Sequence, residues 1–219
     1  MGYTGRIVTS ISVFFTHSLY IVYYYYRDGK VEALDLYSFP FLILFAYWAG
    51  KQYDKVKYLS DKDTLTGVYN RRFVLNSFEK IASLANRTNS KLFVLLIDCD
   101  NFKEINDRHG HHKGDMVLTA IAETLIRSTR KSDIVARWGG DEFLIIGHHK
   151  DETGLQTILS RLHNELENLY EQVNIDNVSV SIGSAIFPDQ SRDLDELIRS
   201  ADVDMYERKK SAILSNLKR

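Results

Sequence analysis

The sequence predicts an α/β domain of the α+β kind, with a βαββαβ core, preceded by a two-helix hairpin able to cross a membrane. Three observations predict it. Residues 7–26 and 36–50 contain no Asp, Glu, Lys or Arg, whereas charges are frequent beyond Lys51. After about residue 60, short β-branched runs alternate with segments of helical apolar spacing, the pattern of a sheet covered by helices on one face. Finally, Gly139 and Gly140 separate two apolar runs, 134–136 and 143–146, as in a β-hairpin.

Length and charge set the frame. The 219 residues suffice for one sizeable domain and some extra. A formal net charge of −1 supplies no basic field for a nucleic-acid polymer. Cys99 is the single cysteine, so no internal disulfide forms.

Residues 7–26 are rich in Ile, Val, Phe and Tyr, and a bilayer is crossed by about 20 such residues. Tyr23, Tyr24, Tyr25 and Tyr26 suit the interfacial aromatic belt. The second stretch, 36–50, has Pro40 near its start, where a helix tolerates proline. A start near 31–34 would put Asp35 at the interface. The alternative is a soluble helix pair made apolar by dimerisation; a cleaved signal peptide fits less well, because no small-residue cleavage site follows. Lys51, Lys55, Lys57 and Lys62 place the C-terminal part, and with two spans the N-terminus, on the cytoplasmic side. Residues 1–50 are thus a membrane hairpin contacting lipid, 51–62 a helical stalk and 63–219 a separate domain. Phe45, Ala49, Gln52, Val56 and Leu59 form a heptad-like seam. The seam either pairs two chains or lies on its own domain.

In the domain, 63–72 is a polar junction. Val74, Phe78, Ile81 and Ala85 mark a helix, and 92–97 is a strand buried on both faces. Gly114 and Asp115 precede a helix carrying Val117, Ile121 and Leu125. The glycine hairpin follows, its primed turn drawing on the positive φ that glycine adopts without steric cost. Leu155, Ile158, Leu162, Leu166 and Leu169 mark the next helix. Val178, Val180, Ile182 and Ile186 mark a strand alternating with Ser179, Ser181 and Ser184. Leu194, Leu197, Ile198, Ala201 and Met205 mark the last helix.

If the 92–97 strand neighbours the hairpin, Asp98 and Asp141 meet. Two carboxylates beside bare glycine backbone suit Mg²⁺ and a nucleoside triphosphate, because Mg²⁺ keeps few protein ligands and borrows phosphate oxygens. The chemistry suggested is metal-assisted phosphoryl or nucleotidyl transfer.

Over residues 61–210 the chain resembles the GGDEF family of diguanylate cyclases. The resemblance rests on four ordered motifs: 63–72, then 98–107 (Asp-Cys-Asp-Asn-Phe-Lys-Glu-Ile-Asn-Asp), then 110–115 (Gly-His-His-Lys-Gly-Asp), then 137–143 (Arg-Trp-Gly-Gly-Asp-Glu-Phe). It implies a palm-like, ferredoxin-like sheet as in nucleotidyl cyclases. It also implies condensation of two GTP to cyclic di-GMP with release of two pyrophosphates, in an antiparallel homodimer at the inner membrane of a bacterium. By position, Asp98, Asp141 and the Cys99 carbonyl resemble the ligands of Mg²⁺ or Mn²⁺. Glu142 resembles the residue assigned to metal binding or to activating the 3′-hydroxyl, with Asp141 beside it as catalytic. Asn106 and Asp115 resemble the guanine-reading pair: Asp can accept from guanine N1–H and N2–H, and Asn can donate. Phe102, Lys103, Gly139, Gly140 and Lys209 resemble the remaining substrate-binding positions. Asp100 and Asp107 are expected only to cap turns. Arg130 and Asp133 match the family's inhibitory product site, where Arg can fork onto cyclic di-GMP.

One departure stands out: the family's Gly-Arg-Asn-like tail is absent, and Ile213 occupies the arginine position. That supports an alternative, a catalytically weak domain that binds GTP or cyclic di-GMP as a sensor or scaffold. A palm-type polymerase fragment is disfavoured by the absence of a basic groove. His109, His111 and His112 have no cysteine spaced to complete a zinc set, and His148 and His149 are expected at the surface.

Overall fold

A chain that changes composition near residue 60 folds into two units, 1–61 and 62–219. The structure, a computed structural model, describes residues 3–149, 152–167 and 178–216.

The first unit is an antiparallel helix pair, α1 (Thr4–Asp28) and α2 (Ala33–Asp61). By length and composition each can cross a membrane, and Phe15, Leu19, Phe41 and Leu44 point outward, as lipid-facing residues would. Gly29 closes α1 in the left-handed region at φ 70°, its amide donating to the Tyr25 carbonyl. Gly5 and Gly50 let the helices touch: a Cβ on either would lie under 3 Å from the other's carbonyl oxygen. The Thr9 hydroxyl then reaches the Ala46 carbonyl at 2.8 Å. Asp54 accepts from the Gly5 amide at 2.7 Å, satisfying one of the donors left open at a helix start. α2 begins at Ala33, so Pro40 lies inside the helix rather than near its start, and Asp35 sits in the first turn, where the helix dipole favours an acid. The stalk is the uninterrupted end of α2, and Phe45, Val56 and Leu59 of the seam are exposed.

The second unit runs β1 (Tyr69–Asn70), α3 (Arg71–Arg87), β2 (Lys91–Cys99), α4 (Phe102–His109), α5 (His111–Ser128), β3 (Ile134–Arg137), β4 (Glu142–His149), α6 (Glu152–Glu167), β5 (Val180–Phe187) and α7 (Leu194–Asn216). Leu169, expected on the third domain helix, lies outside the described residues. The sheet order is β1-β3-β4-β2-β5, with β2 antiparallel to both neighbours and β1 parallel to β3. Asn70 caps α3, its side-chain oxygen accepting from the Phe73 amide.

The helices inside the βαββαβ core, α4, α5 and α6, cover one face as expected, and the flanking α3 and α7 cover the other. Strand pleating sends successive side chains to opposite sides. Phe93, Leu95 and Ile97 of β2 join Phe143 and Ile145 of β4 in a core with α4, α5 and α6. Leu92, Val94 and Leu96 join Leu144 and Ile146 in a second core with α3 and α7. The unbroken apolar run 92–97 requires two covered faces, because either side chain set alone would otherwise meet water.

α4 is an element the apolar spacing does not announce. It has eight residues, of which only Ile105 is buried, too few for a periodic stripe. It starts after Asn101 at φ 54° and ends at Gly110 at φ 82°, and α5 begins at once at His111, before Gly114 and Asp115 rather than after them.

Candidate active site

The antiparallel pairing of β2 and β4 sets Asp98 directly opposite Glu142. The Cys99 amide donates to the Asp141 carbonyl at 3.2 Å, so the Gly139–Gly140 loop folds onto the end of β2. Asp98, Asp141 and Glu142 therefore crowd one end of the sheet. Burial, then the charge of Asp98, raises the Asp141 carboxyl above the ordinary carboxylate range. Burial, then Asp98 and Asp141, raises Glu142 in the same way. That shift moves Glu142 toward the range of a general base. The Cys99 thiol is pushed up to about 12 by burial and the neighbouring aspartates, and so stays protonated.

The loop is not the primed turn expected from its glycines. Neither Gly139 nor Gly140 has positive φ. Four residues, 138–141, separate β3 from β4, and the Trp138 and Gly139 amides both donate to the Glu142 carbonyl, at 2.8 and 3.3 Å. What Gly139 supplies is space: a Cβ there would lie 2.5 Å from the Glu142 carboxylate. Arg137 holds the loop from below. Its guanidinium donates to the Gly140 carbonyl, Nη2 at 2.6 Å and Nε at 3.1 Å, and Nη1 reaches the Asp63 carboxylate at 3.2 Å. Burial opposes ionisation of Asp63, but the Thr66 hydroxyl and amide and then Arg137 outweigh it and hold the carboxyl below its ordinary range. Trp138 is buried, with the Arg71 guanidinium 4.5 Å from its ring centroid.

Lys209 reaches this end of the sheet from α7. Its ammonium is 2.9 Å from Asp98 Oδ2 and 2.9 Å from Asp100 Oδ1. Asp100 is thus no turn cap. Its carboxylate also accepts from the Ser179 and Ser181 hydroxyls, both at 2.8 Å. The alternating serines of β5 were the available signal, because Ser181 pairs directly with Asp98. Asp107 lies exposed within α4 rather than in a turn. The side chain of Ile213 lies outside the described residues.

Asn106 and Asp115 come from α4 and α5. Asn106 Oδ1 is buried without a partner, a costly state that a ligand donor would relieve. Gly114 makes room for it, since a Cβ there would collide with that oxygen. Asp115 is exposed and lines an open cavity of about 470 Å³ with Leu65, His112, Met116 and Thr119; Asn106 does not line it. Phe102 packs against the core and Lys103 is exposed.

Arg130 and Asp133 close the turn before β3. The Arg130 amide donates to Asp133 Oδ2 at 2.9 Å and the Asp133 amide to the Arg130 carbonyl at 2.9 Å. Both line a cavity of about 520 Å³ with Phe93, Arg161, His148 and His149. His148 is exposed, as expected, whereas His149 is half-buried, with an unpartnered Nδ1.

Among the described residues no three His, Cys, Asp or Glu side chains form a ready-made metal cluster. The donors at the β2–β4 end are nonetheless all hard oxygens, and Mg²⁺ needs only one or two protein carboxylates beside substrate phosphates and water. Burial first, and then the charge of Asp98, raises both Asp141 and Glu142, and a cation beside Asp98 would offset that charge. The residues fit Mg²⁺ or Mn²⁺.

Comparison with known proteins agrees with this geometry. Residues 60–212 match the family described as diguanylate cyclase, GGDEF domain. The diguanylate cyclase DgcP of Escherichia coli is 33% identical over 150 residues, 68% of this chain and 44% of DgcP. The diguanylate cyclase DosC of the same species is 38% identical over 147 residues, 66% of this chain and 32% of DosC. The chain thus spans less than half the length of these relatives. The solved GGDEF domain of YfiN (TpbB) from Pseudomonas aeruginosa is 34% identical with a TM-score of 0.62, covering 68% of this chain and 89% of that one. The coiled coil and GGDEF domain of DgcB from Caulobacter crescentus, solved with cyclic di-GMP, shares the fold at a TM-score of 0.65 and 23% identity, covering 74% of this chain and 86% of that one.

Proposed function

The chain belongs to the GGDEF domain family, and from that premise we propose that it is a membrane-tethered diguanylate cyclase. It condenses two GTP to cyclic di-GMP and two pyrophosphates as an antiparallel homodimer. The observation that carries this is the placement of Asp98 opposite Glu142, with Asp141 and Lys209 beside them.

Each residue has a task. Asn106 and Asp115 hold the guanine of one GTP, the buried Asn106 oxygen accepting from its N–H edge. Gly139 and Gly140 let the triphosphate approach the backbone; Phe102, Lys103 and Lys209 flank it. Asp98, Asp141 and the Cys99 carbonyl would hold Mg²⁺ or Mn²⁺, with Glu142 adjoining. The cation, when bound, would neutralise charge on the α-phosphate and leaving pyrophosphate. Glu142, with its raised carboxyl, accepts the proton of the 3′-hydroxyl that attacks the α-phosphate held by the partner copy. Two copies must face each other, because each ring closure needs two hydroxyls and two α-phosphates.

Product binds at Arg130 and Asp133 and slows the enzyme. The cavity beside them supports that assignment. The two apolar helices support a cytoplasmic-membrane hairpin that keeps the domain on the cytoplasmic side. Incubating the full chain with GTP and Mg²⁺ and separating the nucleotides by ion-exchange chromatography tests the proposal. Cyclic di-GMP is the expected product; tight GTP binding without turnover would make the domain a nucleotide sensor instead.

A further inference from the structure

We propose that Asp100, clamped by Ser179 and Ser181, is a positioning residue that tethers the Lys209 ammonium at the active site and leaves Asp98 free for a cation. The inference rests on the nucleotide-binding role just proposed.

Asp100 is held from two other elements. From β5 and the residue just before it, the Ser181 hydroxyl donates to Oδ1 and the Ser179 hydroxyl to Oδ2, each at 2.8 Å. From α7, the Lys209 ammonium meets Oδ1 at 2.9 Å. The Asp100 amide donates to the Ser179 carbonyl at 2.9 Å, fixing the main chain as well. A carboxylate so occupied is a fixed point.

Asp98 differs. It meets the same ammonium through Oδ2 at 2.9 Å, while standing opposite Glu142 and near Asp141. A lysine carries a compact charge on a flexible four-carbon stem. With Asp98 as its sole anchor, it would compete with a divalent cation for that carboxylate. With Asp100 as second anchor, it can yield Asp98 and remain beside the triphosphate. The base of the lysine is pinned too: Asp204, on the preceding turn of α7, accepts from the Ser184 amide of β5 at 2.8 Å and pairs with Arg208.

The test uses the full chain in detergent as wild type, Asp100→Asn, Lys209→Ala and the double variant. Without nucleotide, the rate of Lys209 acetylation by acetic anhydride, read by mass spectrometry, should rise several-fold in Asp100→Asn. With Mg²⁺, the Kd for 3′-deoxy-GTP, which lacks the attacking hydroxyl, should rise roughly tenfold in Asp100→Asn, the scale of one charge-assisted hydrogen bond. The double variant should bind no worse than Lys209→Ala, because residues acting through one contact are non-additive. Unchanged acetylation in Asp100→Asn overturns the proposal. So does an Asp100→Asn penalty that persists undiminished beside Lys209→Ala, because Asp100 would then merely brace β5. Failure of the wild type to bind 3′-deoxy-GTP would count against the nucleotide role, while the acetylation arm still decides whether Asp100 holds Lys209.

Discussion

Gly139 shows how a single hydrogen atom can decide a site. Its backbone is one any residue can adopt, so the reason for glycine is the Glu142 carboxylate lying where a Cβ would go. Gly139→Ala should therefore fold normally, because the displaced atom is the tip of a flexible side chain. Turnover should fall by on the order of a hundredfold, the cost of misplacing a reacting group by about 1 Å. Steady-state rates beside thermal melting check this, and an active Gly139→Ala would refute the spatial role. Asp63 supplies a pH signature. Its folded carboxyl titrates below the unfolded value of about 4, so its stabilisation is complete above that pH and vanishes as pH falls through the folded value. Asp63→Asn should cost about 1–2 kcal/mol at pH 7, and the gap from wild type should narrow as the pH falls through the folded value of Asp63. A gap independent of pH, in denaturant melts, would show that the charge of Asp63 adds nothing to its bonds with Arg137 and Thr66. At this scale Asp141 and Glu142 were legible as acids beside a glycine pair, and Asp98 as an acid at the end of the 92–97 strand. Asp100 was not, because its partners Ser179, Ser181 and Lys209 are 79 or more residues away in sequence.

Elements were legible where apolar spacing is long or continuous. The run 92–97 and the stripes of α3, α5, α6 and α7 announce themselves, because burial selects their side chains. α4 escaped notice because eight residues with one buried side chain leave no period. The covering of both faces was implicit in the β2 run but invisible in the order of elements, because sequence order alone does not say to which face α3 and α7 return. The product-binding role proposed above falls on a short element, the turn between α5 and β3. Arg130 and Asp133 fix each other's backbone and open onto the cavity with His148 and His149. Arg130→Ala should raise the cyclic di-GMP concentration that halves the rate by roughly tenfold, the worth of one charge-assisted hydrogen bond, with initial velocity unchanged. Inhibition curves equal to wild type would return the turn to a purely structural role.

For the whole molecule, the division at residue 61 separates a helix pair with an apolar exterior from a domain with its own two cores. Two chains confined to a membrane meet at an effective concentration that free domains lack. The full chain in liposomes should therefore exceed residues 62–219 in specific activity by on the order of tenfold at submicromolar protein. The truncated form alone should gain specific activity steeply with concentration. Equal activity and equal concentration dependence would show that the helix pair contributes nothing to pairing. The central claim, that the β2–β4 end with Glu142 forms cyclic di-GMP, meets its most direct test in one side-by-side measurement. Wild type and Glu142→Ala, both confirmed folded by circular dichroism, are given GTP and Mg²⁺, and cyclic di-GMP and pyrophosphate are quantified together. The wild type should release two pyrophosphates per cyclic di-GMP and Glu142→Ala neither product. A Glu142→Ala chain that still makes cyclic di-GMP at the wild-type rate, or a folded wild type that makes none, would contradict it.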